Sequence, residues 1–85
     1  MDVTAIIVTY NSAAIVGSAL ACVTTHPRVK KCIVVDNAST DGTIDYIQAA
    51  FPGVTIITNT ANAGFGRACN QALEQVATDV ALLLN

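Results

Sequence analysis

The chain has 85 residues, which bounds it to one small domain. Four Lys and Arg against six Asp and Glu leave a net charge of −2, which removes the electrostatic case for nucleic acid or an anionic membrane as partner. With 53% of its residues hydrophobic and 12% charged, it carries more apolar material than so small a domain needs, and the excess reads as core for a larger sheet.

The pattern predicts an alternation of strands and helices. Val3 to Tyr10, centred on Ala5-Ile6-Ile7-Val8, is the first strand. A helix follows with Ile15, Val16, Ala19, Leu20 and Val23 on its inward stripe. Ile33-Val34-Val35 centres the second strand. A shorter helix turns Ile44 and Ile47 inward and stops at Phe51-Pro52-Gly53. Val54 to Thr58 is the third strand, and Ala68, Cys69, Ala72, Leu73 and Val76 repeat the helical stripe. Val80 to Leu84 is the fourth strand. The strand runs are continuously apolar, as expected of parallel strands covered on both faces. The fold class is therefore α/β, a Rossmann-like parallel sheet with alternating helices. The first strand is expected at the centre, the second and third on one side and the fourth on the other. Such a reversal opens the crevice in which these sheets bind ligands.

The fourth strand reads as an interior strand with bare leucine on its flanks. Residues 1–85 therefore read as the first part of a larger domain, and the uncovered strand is expected to drive self-association. Cys22, Cys32 and Cys69 match no zinc or redox spacing and are all expected to be small buried hydrophobes. Free thiols in an apolar α/β chain point to a reducing, cytoplasmic setting. Asp2 and Tyr10-Asn11 break any signal-peptide core, and no apolar run reaches the ~18 residues of a membrane span.

Right-handed crossovers put the three strand-to-helix loops on one edge of the sheet: Tyr10-Asn11-Ser12, Asp36 to Gly42, and Asn59 to Arg67. The basic loop Pro27 to Lys31 falls on the opposite edge, where it is expected to complement the negative end of the first helix. The site edge gathers Thr9, Tyr10, Asn11, Asp36, Asn37, Ser39, Asn62, Arg67 and Asn70. A uracil or thymine ring presents an imide N–H between two carbonyls. An aspartate suits that N–H and an Arg or amide suits the carbonyls, so Asp36 with Arg67 meets the need. Against this stands a carboxylate satisfied by turn amides, and an Arg67 that is merely solvated. A cation in the first turn of a helix is poorly placed against the dipole, which favours a functional reason for Arg67. Gly64 and Gly66 allow tight backbone at the third helix, Asn62 or Asn59 can cap it, and Ser12, Asp41 and Thr43 are cap chemistry. His26 and Asp79 fall on the far edge and receive no role. No nucleophile–base pair or metal cluster can be assembled. A nicotinamide-dependent oxidoreductase domain needs its glycine fingerprint after the first strand, where this chain has Thr9-Tyr10-Asn11-Ser12. That reading and a stand-alone nucleotide-binding or interaction module without catalysis are the alternatives.

Three motifs carry a resemblance: Ile7-Val8-Thr9-Tyr10-Asn11, Val34-Val35-Asp36-Asn37-Ala38-Ser39-Thr40-Asp41-Gly42-Thr43, and Asn62-Ala63-Gly64-Phe65-Gly66-Arg67-Ala68-Cys69-Asn70. Over its whole length the chain resembles the start of a family-two glycosyltransferase with the GT-A fold, and its second motif is most similar to rhamnosyltransferase-like members. The resemblance implies the N-terminal half of that fold and a UDP- or dTDP-sugar donor. It implies an inverting hexosyl transfer to a saccharide or lipid-linked acceptor, in cell-envelope polysaccharide biosynthesis. The setting is cytoplasmic, peripheral to the inner face of the membrane where the acceptor demands it. The nucleotide pocket is expected to use Thr9, Tyr10, Asn11, Asp36, Asn37, Ser39, Asn62, Gly64 and Arg67. A divalent cation, Mg or Mn, and a carboxylate base are implied for the whole enzyme. Both lie past Asn85 in the family pattern, so the chain alone is expected to be inactive.

Overall fold

The computed structural model describes all 85 residues. The order is β1 (Val3–Thr9), α1 (Val16–Thr24), β2 (Val29–Asn37), α2 (Thr43–Ala50), β3 (Thr55–Asn59), α3 (Gly64–Leu73) and β4 (Val80–Leu84). The four strands form one parallel sheet in the order β3-β2-β1-β4, so the expected reversal beside β1 is present. No helix is long and apolar enough to cross a membrane.

Period-two alternation splits the apolar residues of the central strands between two cores. Ala5, Ile7, Cys32 and Val34 meet Val16, Leu20 and Val23 of α1 and Ile47 of α2. Ile6, Val8, Ile33 and Val35 meet Ala68, Cys69 and Ala72 of α3 on the other face. Continuous apolar sequence in β1 and β2 is thus the mark of a sheet covered on both sides. The helices α1 and α2 approach so closely that a Cβ on Gly17 would collide with the Tyr46 hydroxyl.

Several expected inward positions differ. Ile15 is 74% exposed because α1 begins one residue later, and its inward stripe is Val16, Leu20 and Val23. Ile44 is half-buried, and the fully buried residues of α2 are Thr43 and Ile47. Leu73 is exposed, about 100° round the helix from buried Ala72. Val76 lies beyond the end of α3 yet still packs on that core. Cys22 is exposed on the outer face of α1, whereas Cys32 and Cys69 are buried as expected. Burial pushes the Cys32 thiol up to about 11 and raises that of Cys69.

The basic segment also differs from its reading as a loop. Val29, Lys30 and Lys31 belong to β2, which enters the sheet through an irregularity between the Val3–Val29 and Thr4–Lys31 pairs. The carbonyls at the end of α1 are covered by hydroxyls: Thr24 donates to Leu20 O and Thr25 to Ala21 O. On the β1 flank, β4 is an edge strand with Leu82 43% and Leu83 42% exposed on opposite faces.

Candidate functional site

The carboxyl ends of the strands form a polar row. Thr9 pairs with Asp36 and Asp36 with Thr58, while Asn37 pairs with Asn59. Consecutive strand residues face opposite ways. Asp36 therefore follows Cys32 and Val34 toward the α1–α2 side, and Asn37 follows Ile33 and Val35 toward α3. The two neighbours in sequence serve two different loops.

Asp36 has no exposed surface. Its Oδ1 accepts from Thr9 Oγ1 at 2.7 Å and from Ser39 Oγ at 2.6 Å, and its Oδ2 accepts from Ser39 N at 2.9 Å. One acceptor position, on Oδ2, is left. Ala38 makes this clamp possible. Its φ of 62° is left-handed and turns the chain so that Ser39 comes back over the carboxylate. A non-glycine residue there costs about 1–2 kcal/mol, strain held by the surrounding bonds.

Those bonds join the first two site loops. Asn11 N donates to Ser39 Oγ and Thr40 N to Asn11 Oδ1, both at 2.8 Å. Ser12 N donates to Thr43 Oγ1 and Ala13 N to Asp41 Oδ2, both at 3.1 Å. Asp41 Oδ1 takes both the backbone N–H and the hydroxyl of Thr43. The Thr43 hydroxyl bond is the largest cause holding the Asp41 carboxyl below its usual range; desolvation opposes it, and the backbone amides of Ala13 and Thr43 add to the lowering. Asp41 thus covers the α2 start from the position before the cap, Gly42, as the cap chemistry implied. Thr43 is more than a cap residue: buried inside the first turn, it ties β1's loop to α2.

On the α3 side, Asn37 Oδ1 accepts from Asn59 Nδ2 at 2.9 Å and from Ala63 N at 3.3 Å, and Asn37 Nδ2 donates to Gly64 O at 3.3 Å. Asn59 and Gln71 pair side chain to side chain, with Asn59 Nδ2 to Gln71 Oε1 at 2.9 Å and Gln71 Nε2 to Asn59 Oδ1 at 2.8 Å. Asn59 is therefore no helix cap. Asn62 covers the start of α3 from the position before the cap, Ala63: its Oδ1 accepts from Gly64 N at 2.8 Å. Gly64 has φ +81°, which requires glycine, whereas Gly66 lies inside the helix without that constraint. Tyr10 is exposed at the rim after β1, Arg67 is exposed on α3, and Asn70 is exposed one turn further on. Gln71 is the residue that the sequence reading passes over. Its spacing from Gly64 and Arg67 is a visible signal, but its partner Asn59 is remote along the chain.

Thr9, Asn11, Asp36 and Ser39 are thus brought together by direct bonds, and Asn37 joins Gly64 separately. Asp36 and Arg67 belong to opposite sides of the sheet, so a ring touching both has to lie across the end of β2. Two surface hollows of about 280 and 300 Å3 lie at the other end of the sheet, both lined by Phe51 and Val54 and the first also by Lys30 and Lys31. They lie beside the C-terminal ends of α1 and α2, away from the carboxyl ends of the strands where open α/β sheets take ligands, so the strand-end rim is the better candidate. No three His, Cys, Asp or Glu come together as a metal site. Asp36 and Asp41, the carboxylates of this edge, are both engaged by the protein's own donors.

Residues 4–85 match the family model described as glycosyl transferase family 2. No curated protein matches the chain. Among solved structures, it is similar to the mannosyltransferase PcManGT from Pyrobaculum calidifontis, determined in complex with GDP-Man and Mn2+. The identity is 30% and the TM-score 0.77, over 88% of this chain and 24% of that one. It is also similar to TarS of S. aureus, at 25% identity and a TM-score of 0.79, over 99% of this chain and 16% of that one. The chain thus spans a quarter or less of the length of these two proteins.

Proposed function

The chain belongs to glycosyl transferase family 2, and from that premise we propose that residues 1–85 form the nucleotide-binding part of an inverting enzyme using a UDP- or dTDP-sugar. The observation that carries the reading is the family match over nearly the whole chain, joined to a polar rim at the carboxyl ends of the strands, where open α/β sheets take ligands. In this reading Thr9, Tyr10, Asn11, Asp36, Asn37, Ser39, Asn62, Gly64 and Arg67 make the pocket. Asp36 receives the base N–H on the open position of Oδ2 once the groups covering it shift. Arg67 meets a carbonyl or phosphate oxygen from α3. Asn37 acts through the backbone of α3.

The mannosyltransferase neighbour was solved with a guanine nucleotide, so guanine is the second reading. Guanine offers two adjacent N–H donors and needs both carboxylate oxygens. Here Oδ1 already accepts two hydroxyls, which favours the single imide N–H of uracil or thymine. The whole enzyme is proposed to transfer a hexose, with rhamnose as one candidate, to a saccharide or lipid-linked acceptor of the cell envelope, on the cytoplasmic side. That neighbour was also solved with Mn2+, and a divalent cation would neutralise the leaving diphosphate. The carboxylates of this chain do not fit such an ion, so the reading assigns its ligands, and the catalytic base, to residues outside these 85.

Calorimetric titration with UDP, dTDP, GDP and ADP tests the proposal. The expected order puts UDP and dTDP ahead of GDP, and GDP ahead of ADP. Equal affinity for ADP and UDP would refute it.

A further inference from the structure

The buried side of α3 is made of Ala68, Cys69 and Ala72. Such small side chains let the helix lie close to the sheet but offer little to stop it from sliding or rotating, because register between packed elements comes from interlocking side chains. Polar bonds supply that register here. At the start of α3, Asn37 donates to Gly64 O at 3.3 Å and accepts from Ala63 N. Near its end, Gln71 makes a two-way amide pair with Asn59, at 2.9 and 2.8 Å. Asn59 closes the set by donating to Asn37 at 2.9 Å. The three side chains are half-buried or buried, so each bond is harder to replace with water than a surface contact.

Gly64, Arg67 and Gln71 stand at i, i+3 and i+7, on one face of the helix. The outer two are tied to Asn37 and Asn59, the last residues of β2 and β3. Arg67 lies between them, takes no part in these bonds and is exposed. We propose that Asn59 and Gln71, acting with Asn37, are positioning residues that hold Arg67 over the carboxyl ends of β2 and β3 for contact with the nucleotide. The inference rests on the nucleotide-pocket reading given above. It adds two residues to the site, neither of which touches the ligand.

A double-mutant cycle in UDP affinity, read by calorimetry on the chain, tests it. Arg67→Ala is expected to weaken UDP about tenfold or more, the range for a charge-assisted bond. Gln71→Leu removes both bonds to Asn59 and is expected to weaken UDP about two- to tenfold, the range of one net hydrogen bond. In the Arg67→Ala background the same change is expected to add nothing, because its effect passes through Arg67. Gln71→Glu keeps an acceptor for Asn59 Nδ2 and is expected to recover part of the affinity. It also carries the cycle if Gln71→Leu does not fold. A loss from Gln71 substitution that is equal in both backgrounds, or no loss at all beside a deficient Arg67→Ala, overturns the positioning role and leaves the pocket reading standing. An unsubstituted chain that does not bind UDP, or an indifferent Arg67→Ala, overturns the pocket reading and the positioning role with it.

Discussion

Replacing Asp36 with Ala is expected to cost the fold far more than loss of a solvent-facing ligand contact would. The carboxylate is fully buried and accepts three hydrogen bonds, from Thr9 Oγ1, Ser39 Oγ and Ser39 N. Truncation removes both acceptor oxygens, and with them all three bonds, at once. Ser39 is half-buried and its hydroxyl can turn to water, so its two bonds contribute about 1 kcal/mol each. Thr9 is 1% exposed, and its stranded hydroxyl costs about 1–3 kcal/mol. The sum is about 3–5 kcal/mol. A domain of 85 residues has about 4–13 kcal/mol in total, at ~0.05–0.15 per residue, so the loss is a large share of it. Asp36→Asn keeps an oxygen for the two hydroxyls but turns an N–H toward Ser39 N, and is expected to cost about 1–3 kcal/mol. Urea unfolding at fixed protein concentration measures these losses as midpoint shifts at constant slope. Adding Thr9→Val to Asp36→Ala is expected to recover part of the loss, since no buried hydroxyl is then stranded. A loss under about 0.5 kcal/mol for Asp36→Ala, the scale of surface substitutions, would refute the reasoning.

Three further outcomes are expected. The Asp41 carboxyl is held below its ordinary value near 3.8, so its contribution to the loop clamp is complete above that pH and is lost as pH falls through its lower folded value. Following the Ala13 and Thr43 amides by NMR checks this, and an Asp41 that titrates at or above 3.8 contradicts it. Cys22 is expected to be alkylated at pH 8 while Cys32 and Cys69 are protected by burial and raised thiol values; peptide mapping that finds Cys32 modified equally fast would overturn that assignment. The 85-residue chain is expected to self-associate through β4, whose half-exposed Leu82 and Leu83 flank an unpaired edge, and a sedimentation profile that stays monomeric at tens of micromolar, with protected β4 amides, would count against it.

Asp36 also shows how two readings of one residue combine. Its place at the end of a buried strand, beside Asn37 and Ser39, is what the proposed ligand edge rests on, and Ser39 together with Thr9 supplies the donors that satisfy it. Structural clamp and base reader are compatible because one acceptor position on Oδ2 is left over.

The sequence by itself determined the alternation of strands and helices, the parallel order β3-β2-β1-β4 and the edge on which the three loops meet. The alternation follows from patterns internal to an element, continuous apolar runs and helical stripes, while the order and the shared edge follow from general rules for open α/β sheets, crossovers of one hand and the reversal that opens a crevice. The tertiary structure alone decided how the polar residues of that edge pair. Thr9 with Asp36, Asn11 with Ser39, and Asn37 with Gly64 are each 27 or 28 residues apart along the chain, and nothing local specifies them. It also decided which apolar residues stay outside. Ile15, Cys22 and Leu73 fit a core by type, but exposure depends on where a helix starts and which neighbour covers its flank. Periodicity states which way a side chain points from its own element. What it meets there is set by the packing of elements that are distant in sequence.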